Sequence, residues 1–568
     1  MGGLNGLPPG VLPPRTEALA QLEAQPWDLV VIGGGISGAG VAQQAARQGW
    51  SVLLVEQRDY AWGTSSRSSK LVHGGLRYLK EGDIKTTLHS VRERKRLLRE
   101  APGLVEPQSF LFADCPGRKP SRWQMQTGLA VYDLMAGNHR SRDGHFHADL
   151  ATTQALAPGL APPGLRGALV FQDAKTDDAR LVLRVLQEAR LLGATTLNYM
   201  AASGLRFEGG RITGLNLQDA LGGTTYAVRA CCVVNATGAW ADRLRAGVGA
   251  APLLRPLRGS HLLVPFWRLP VAQSISLMHP RDARPVFLYP WEGATLIGTT
   301  DLDHAGSLDA EANITPAEVD YLVEAVNDQF PGACLTPADV IACYAGVRPV
   351  LDDGQKDASK ATRDHVVRDE SGLVTLTGGK LTTFRLMAQD ALALAAPHVG
   401  KPFERNDAPL FTPASPLNPR WSPAVRQRLQ ARYGSLAAAL CAGAHGEDLQ
   451  SIPGTQTLWL ELAVAAQEAV EHLDDLLLRR TRLGILLAHG ALALLPRIRQ
   501  LCAPHLAWSD VRWDEETARY RALIAAHYQL PDKNGGFAPS PLAGEGFSER
   551  KPMQKTRQNS HKRLPIKR

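Results

Sequence analysis

A turn of glycines between two apolar runs constrains this chain more than any other feature. Asp28-Leu-Val-Val-Ile32 leads into Gly33-Gly34-Gly35-Ile36-Ser37-Gly38, a helix-like stretch follows as far as Gly49, and Ser51-Val-Leu-Leu-Val55 ends at Glu56. Strand, turn, helix and strand in this order form a βαβ unit suited to a dinucleotide. Gly33 permits the tight turn, Gly35 lets the backbone approach a pyrophosphate, and Gly38 lets the helix pack close to the strand. The N–H groups that open the helix, around Ile36 and Ser37, then face the anion. Glu56 stands 18 residues after Gly38, where a carboxylate at the end of the second strand accepts hydrogen bonds from a ribose diol. NAD and FAD both satisfy this unit.

A chain of 568 residues with 44% hydrophobic and 21% charged residues has the composition of a soluble globular protein of two or three domains. Its net charge of +8 is mostly a property of its end. Residues 533–568 hold nine Lys/Arg and two Glu, leaving 54 basic against 53 acidic residues in 1–532. The folded part is therefore no basic nucleic-acid binder. The tail, rich in glycine, proline and polar residues, reads as disordered, with weak adhesion to an anionic membrane as its functional reading. Seven cysteines, including the adjacent Cys231-Cys232 and no C-x-x-C, give neither a disulfide framework nor a zinc signature, and a reducing cytosol fits them. His145-Phe-His147 lacks ligand partners at a familiar spacing, so no metal is expected. The start of the chain carries no evident signal peptide, and the apolar run Leu483 to Leu495 is too short to span a membrane.

Punctuation divides the chain. Residues 1–26 read as a flexible leader. Residues 27–400 alternate apolar runs with helical stretches, as an α/β fold does, and contain strand-like segments of a second, mixed sheet. Val286-Phe-Leu-Tyr-Pro-Trp291 and Ala294-Thr-Leu-Ile-Gly-Thr-Thr300, joined by Glu292-Gly293, read as a hairpin, and Gly259-Ser-His-Leu-Leu-Val-Pro265 as a further strand. The expected architecture is an FAD-binding Rossmann-like domain and a mixed-sheet substrate domain, interleaved in sequence. Six prolines between 402 and 423 make 401–423 a linker, and 424–532, rich in Ala, Leu and Arg, reads as a C-terminal α-helical domain.

Two later segments favour FAD over NAD. Val233-Val-Asn-Ala236-Thr237-Gly238 ends a buried strand in a small-residue turn, resembling the second nucleotide contact of FAD-dependent oxidoreductases assembled from distant segments. Leu376-Thr-Gly378-Gly379-Lys380-Leu381-Thr382-Thr383, before a helical stretch, offers N–H donors and hydroxyls to a flavin ring that gains negative charge on reduction.

Gly63-Thr-Ser-Ser-Arg-Ser-Ser-Lys-Leu-Val-His-Gly-Gly-Leu-Arg-Tyr78 resembles the signature of aerobic, FAD-dependent glycerol-3-phosphate dehydrogenases. The match continues in order through Asp177-Asp-Ala-Arg-Leu181, Asn235-Ala-Thr-Gly238, Gly259-Ser-His261, Ile297-Gly-Thr-Thr-Asp301, Gly346-Val-Arg-Pro349, Thr362-Arg-Asp364, Gly378-Gly-Lys-Leu-Thr-Thr383 and Leu478-Arg-Arg-Thr-Arg-Leu-Gly484. It spans about residues 27 to 530, with Arg67 standing where a small residue is expected. The resemblance implies a D-amino-acid-oxidase-like fold and oxidation of sn-glycerol 3-phosphate to dihydroxyacetone phosphate, with hydride passing from C2 to flavin N5. The electrons then go to the quinone pool, on the inner face of the cytoplasmic membrane, to which the protein is peripherally bound; a homodimer is among the expected assemblies. It also adds Thr64, Ser65 and Ser69 to the cofactor contacts.

That reaction needs positive charge for a dianionic phosphate and a base for the C2 hydroxyl proton. Arg77, Arg348, Arg363 and Lys380 come from the matching blocks as phosphate ligands, with Tyr78 adding a hydroxyl. His73 and His261 are the candidate bases, and the sequence does not choose between them. Asp177 and Asp178 read instead as the N-terminal turn of a helix. Leu473 to Gly484, apolar with three arginines, reads as a packed surface helix, with membrane contact as its functional reading. The alternatives are a glycerophosphate oxidase that reduces oxygen, an amine or amino-acid oxidase of the same architecture, and a non-catalytic nucleotide-binding scaffold.

Overall fold

Leu29, Val30, Val31 and Ile32 are all buried, as a strand covered on both faces must be. The structure, a computed structural model, describes residues 15–531 except 77–78, 80–81, 118–119, 138–143, 353 and 355–364. The expected basic tail, Arg77, Tyr78 and Arg363 therefore lie outside the described residues. Among those described, two sheets organise the molecule.

In the first sheet, strands Leu373–Gly378, Thr225–Asn235, Trp27–Ile32, Val52–Val55 and Thr195–Leu197 lie side by side and parallel. His365–Glu370 adds an antiparallel edge, and the hairpin Met200–Glu208 with Arg211–Asp219 continues from the outer part of Thr225–Asn235. Helices Ile36–Arg47, Asp178–Leu191 and Phe384–Val399 bury an Ala- and Leu-rich face against one side of this sheet, where Val31, Ala42, Leu54, Leu186 and Leu392 share one core. Val30, Leu53, Leu215 and Leu217 form the core on the other side.

The second sheet is antiparallel except where Ser274–Met278 runs parallel to Val105–Asp114. It contains the expected hairpin, Pro285–Trp291 with Ala294–Gly298, and the strand Leu254–Pro265. Leu262 and Leu288 face helix Pro316–Gln329 through Leu322 and Val326, while the alternate residues Leu263 and Leu296 meet Leu476, Ile498 and Ile524 of the C-terminal helices. Alternation along the strands thus buries both faces.

Two segments depart from expectation. Residues 15–26, read as part of a flexible leader, are docked. Helix Arg15–Gln21 buries Ala18, and Arg15 donates to the Asn198 carbonyl at 2.6 Å and to Asp219 at 2.7 Å. The region from 473 to 484 is no surface helix: it makes one π-helical turn, Asp475–Arg480, whose six residues are all buried.

Candidate functional site

A cavity of about 480 Å³ opens at the carboxyl ends of the parallel strands, the usual ligand position in such sheets. Gly33, Gly35, Ile36 and Ser37 line it. Gly33 has φ +115°, and a β-carbon there would lie 2.5 Å from the Ala236 carbonyl oxygen, so the turn and the second nucleotide segment interlock only without a side chain. Gly38 lies behind the cavity, where a β-carbon would stand 1.9 Å from the Gly33 carbonyl oxygen. No acid occupies the first helical turn, and Ser65 Oγ already accepts the Ile36 N–H at 3.0 Å. This positive end suits a pyrophosphate.

Glu56 also lines the cavity, and its carboxylate accepts N–H bonds from Gly34 at 2.7 Å and Arg58 at 2.9 Å. Burial pushes its pKa up, and the two backbone donors oppose the shift. Each oxygen keeps acceptor capacity for a ribose diol. Thr64, Ser65, Ala236, Thr237, Gly238, Gly378, Gly379 and Leu381, all expected at the cofactor, line the same cavity. These residues fit FAD: a glycine cradle at a helix N-terminus, a carboxylate at the ribose position, and a second glycine turn opposite. Thr382 and Thr383 instead lie buried at the start of helix Phe384–Val399 and do not line the cavity, and the Thr382 hydroxyl donates to the His73 carbonyl at 3.2 Å.

Sequence reasoning missed two indoles in this wall, and Arg67, noted only as a large residue out of place, joins them. Trp62 and Trp240 approach to 5.9 Å between centroids, and Arg58 and Arg67 lie over the Trp62 ring at 4.1 and 4.7 Å. Arg67 is buried, paired with Glu311 at 2.5 Å and bonded to the Tyr528 hydroxyl at 3.1 Å, so the large residue in the Gly63 block ties that loop to a C-terminal helix. Trp62 next to Gly63, and Trp240 two residues after Gly238, were the available signals.

At the other end of the cavity stands His261, only 2% exposed. Register sets its neighbours: across the antiparallel strands it pairs with Tyr344 on one side and Gly298 on the other. A β-carbon on Gly298 would come within 2.1 Å of the imidazole, so the ring occupies the space that glycine leaves. Nε2 lies 2.9 Å from Ser69 Oγ, and Nδ1 has no hydrogen-bond partner among the described residues. Burial, then the charges of Lys70 and Arg348, hold its pKa well below the usual imidazole value. The ring is therefore neutral and able to take a proton.

His73, Arg348 and Lys380 line the same cavity. Arg348 Nη2 lies 2.9 Å from both Asp301 and the Thr300 carbonyl, which hold the guanidinium in place, and Lys380 Nζ donates to Ser90 Oγ at 2.9 Å. Arg348, Lys380 and the two imidazoles thus share one cavity with the glycine turn.

The loop that carries Ser69 is fixed from beneath. Lys70, fully buried, donates to Asp178 at 3.0 Å and to the Ser66 carbonyl at 3.0 Å. Arg482 reaches the same two partners at 2.7 and 2.8 Å, and the Tyr344 hydroxyl holds the Ser68 carbonyl at 2.9 Å. Asp177 caps helix Asp178–Leu191 by accepting the Arg180 N–H at 3.2 Å, the role expected of it. Arg479 and Arg480 both bind Asp59, just beyond Glu56, with Arg480 bidentate at 2.6 and 2.7 Å. These contacts correct the reading of 473–484 as a membrane face: its three arginines are consumed by buried carboxylates. Among the described residues no helix is long and apolar enough to cross a membrane.

Comparison with known proteins agrees with this geometry. The family described as FAD dependent oxidoreductase matches residues 28–389, and that described as the C-terminal domain of alpha-glycerophosphate oxidase matches 374–513. The chain is 35% identical over 552 residues to glycerol-3-phosphate dehydrogenase 2 of Mycobacterium bovis, covering 92% of this chain and 93% of that protein. It is 35% identical over 407 residues to the aerobic glycerol-3-phosphate dehydrogenase of Bacillus subtilis, covering 71% and 73% of the two. Among solved structures, the glycerol-3-phosphate dehydrogenase of Bacillus halodurans complexed with FAD superposes with a TM-score of 0.69 at 26% identity, over 90% of this chain and 96% of that one.

Proposed function

The chain belongs to the FAD-dependent glycerol-3-phosphate dehydrogenase family, and from that premise we propose that it oxidises sn-glycerol 3-phosphate to dihydroxyacetone phosphate in the cavity around His261. The observation that carries this reading is the meeting of Arg348, Lys380, His73 and His261 with the Gly33–Gly38 turn around one cavity. Arg348, held by Asp301 and the Thr300 carbonyl, presents a fork to the phosphate dianion, and Lys380 adds a compact charge. Arg77, Tyr78 and Arg363 are proposed to complete the phosphate contacts. Bound FAD supplies the acceptor, at flavin N5, for the hydride leaving C2. The neutral imidazole of His261 takes the C2 hydroxyl proton, its ring held by Ser69 and Tyr344, while His73 lines the same space.

The electrons are proposed to pass to membrane quinone, with the protein bound peripherally. Support for a membrane-facing surface comes from helix Arg122–Ala136, where Trp123, Val131 and Leu134 share one face and are 69%, 39% and 63% exposed. The test is anaerobic addition of glycerol 3-phosphate to the FAD-loaded protein, following absorbance near roughly 450 nm, where oxidised flavin absorbs. Bleaching by glycerol 3-phosphate, with none by glycerol, glycerol 2-phosphate or a D-amino acid, is expected. No bleaching with FAD bound would refute the reading. Rapid peroxide formation in air would assign the electrons to oxygen instead of quinone.

A further inference from the structure

A second cavity, of about 620 Å³, shares no lining residue with the first. Its volume is that of small-molecule sites, roughly 300–1,000 Å³. It lies where the end of helix Ile84–Glu100, helix Asp178–Leu191, the Pro-rich segment and helix Pro423–Tyr433 meet. Its charged lining is three arginines, Arg99, Arg184 and Arg426, against one carboxylate, Glu100. That carboxylate is already engaged, with one oxygen accepting the Leu410 N–H at 2.8 Å and the other 3.1 Å from Arg99 and 3.4 Å from Arg96.

Arg184 is the unusual member. Its side chain is 5% exposed and its guanidinium lies 5.3 Å from the centre of the Phe411 ring, and Nη1 has no well-aligned hydrogen bond among the described residues. Glu188 is its ion-pair partner at 3.4 Å, and the other oxygen of that carboxylate is taken by the Thr412 N–H and hydroxyl at 3.1 and 2.8 Å. Burial therefore pulls the guanidinium pKa below its ordinary value, and Glu188 opposes this only in part. Arg426 Nε is likewise buried and has no hydrogen-bond partner among the described residues. Arg184 is thus a buried cation paired with one carboxylate at the cavity wall, and Arg426 is a half-buried one beside it. Beside these donors the lining is apolar, with Phe411, Pro413 and Pro416.

We propose that this cavity binds an amphipathic anion, with a carboxylate or phosphate monoester head held by Arg184 and Arg426 and a short apolar body against Phe411 and the prolines. Head and body recognise different halves of the ligand. Inorganic phosphate offers the head alone, and octanol the body alone.

Titration calorimetry on the FAD-loaded full chain, with dihydroxyacetone phosphate in excess to fill the first cavity, tests this with octyl phosphate, inorganic phosphate and octanol. Octyl phosphate is expected to bind one to one, at least tenfold more tightly than either partial probe. Arg184→Met and Arg426→Met are each expected to weaken it tenfold or more, and Arg348→Met, in the other cavity, to leave it unchanged. Arg426, less buried than Arg184, decides the matter if Arg184→Met does not fold. Absent saturable binding, equal binding of octanol or of inorganic phosphate, or a loss confined to Arg348→Met would each overturn the assignment.

Discussion

The imidazole of His261 lies flat against the phenol ring of Tyr344, with centroids 4.7 Å apart and planes within 16°. The stack follows from strand register, because the two residues face each other across the antiparallel pair, and the Ser69 hydroxyl at Nε2 fixes rotation within it. The proposed base is thus oriented by groups that do not themselves react.

Replacing that base slows chemistry more than binding. His261→Gln is expected to slow anaerobic flavin bleaching by about 10²–10⁴-fold, the usual contribution of a positioned base, with FAD retained. Its pKa lies well below the free value, so His261 is already neutral at pH 6.5, and the rate between pH 6.5 and 8 is expected to show no inflection from this group. Stopped-flow measurement across that range checks both statements.

Arg348→Met removes the fork and leaves Asp301 with Arg284, 3.2 Å away. A hydrogen bond to a charged group contributes about 1.5–3 kcal/mol. A rise in KM for glycerol 3-phosphate of that size is expected, together with a much reduced preference over glycerol. Steady-state kinetics with both substrates measures it.

Lys70 gives stability a pH dependence of known sign. Burial and the neighbouring Arg482 bring its pKa down to about 7, so above that pH the folded protein releases a proton that the unfolded chain keeps until about 10.4. Its contribution to stability therefore rises from pH 7 upward and is lost as pH falls toward 7. In Lys70→Met this rise should disappear, and the difference in Tm between variant and parent should change sharply from pH 7 to 9.

Arg480→Met leaves Asp59 short of its bidentate partner inside the protein. Breaking a buried pair from one side costs about 3–5 kcal/mol. Asp59 lies three residues beyond Glu56, so a lowered Tm and a lower FAD content on purification are expected together. Arg243→Ala, which breaks an exposed pair with Asp309, should shift Tm little.

Gly38→Ala places a methyl group where the Gly33 carbonyl oxygen already stands. The turn must open or the helix retreat, and either change moves the N–H cradle. Purified protein with little or no FAD, measured by absorbance ratio, is the expected result.

The parts of this molecule legible in the sequence are those whose signals are local. The Gly33–Gly38 turn, the hairpin of 285–298 and the Asp177 cap each depend on residues within a few positions of one another, and each stands where its pattern placed it. The Gly378–Thr383 segment was half legible: its glycines line the cavity, but Thr382 turns to the His73 carbonyl, 309 residues away in sequence. Leucines with arginines over 476–482 have the local pattern of a surface helix. What buries them is Asp59 and the Asp177-Asp178 pair, hundreds of residues distant, which local periodicity does not register.

The Asp59 contact, bridging 420 and 421 positions of chain to Arg479 and Arg480, also sets an order of events during synthesis. At about 5–20 residues per second, the ribosome delivers Asp59 tens of seconds before either arginine that neutralises it. Through that interval the nascent nucleotide-binding unit carries a carboxylate destined for the interior with no counter-charge yet made. It completes itself only when nearly the whole folded chain has left the ribosome, so a message cut short before codon 479 yields an unfinished nucleotide site as well as a missing end.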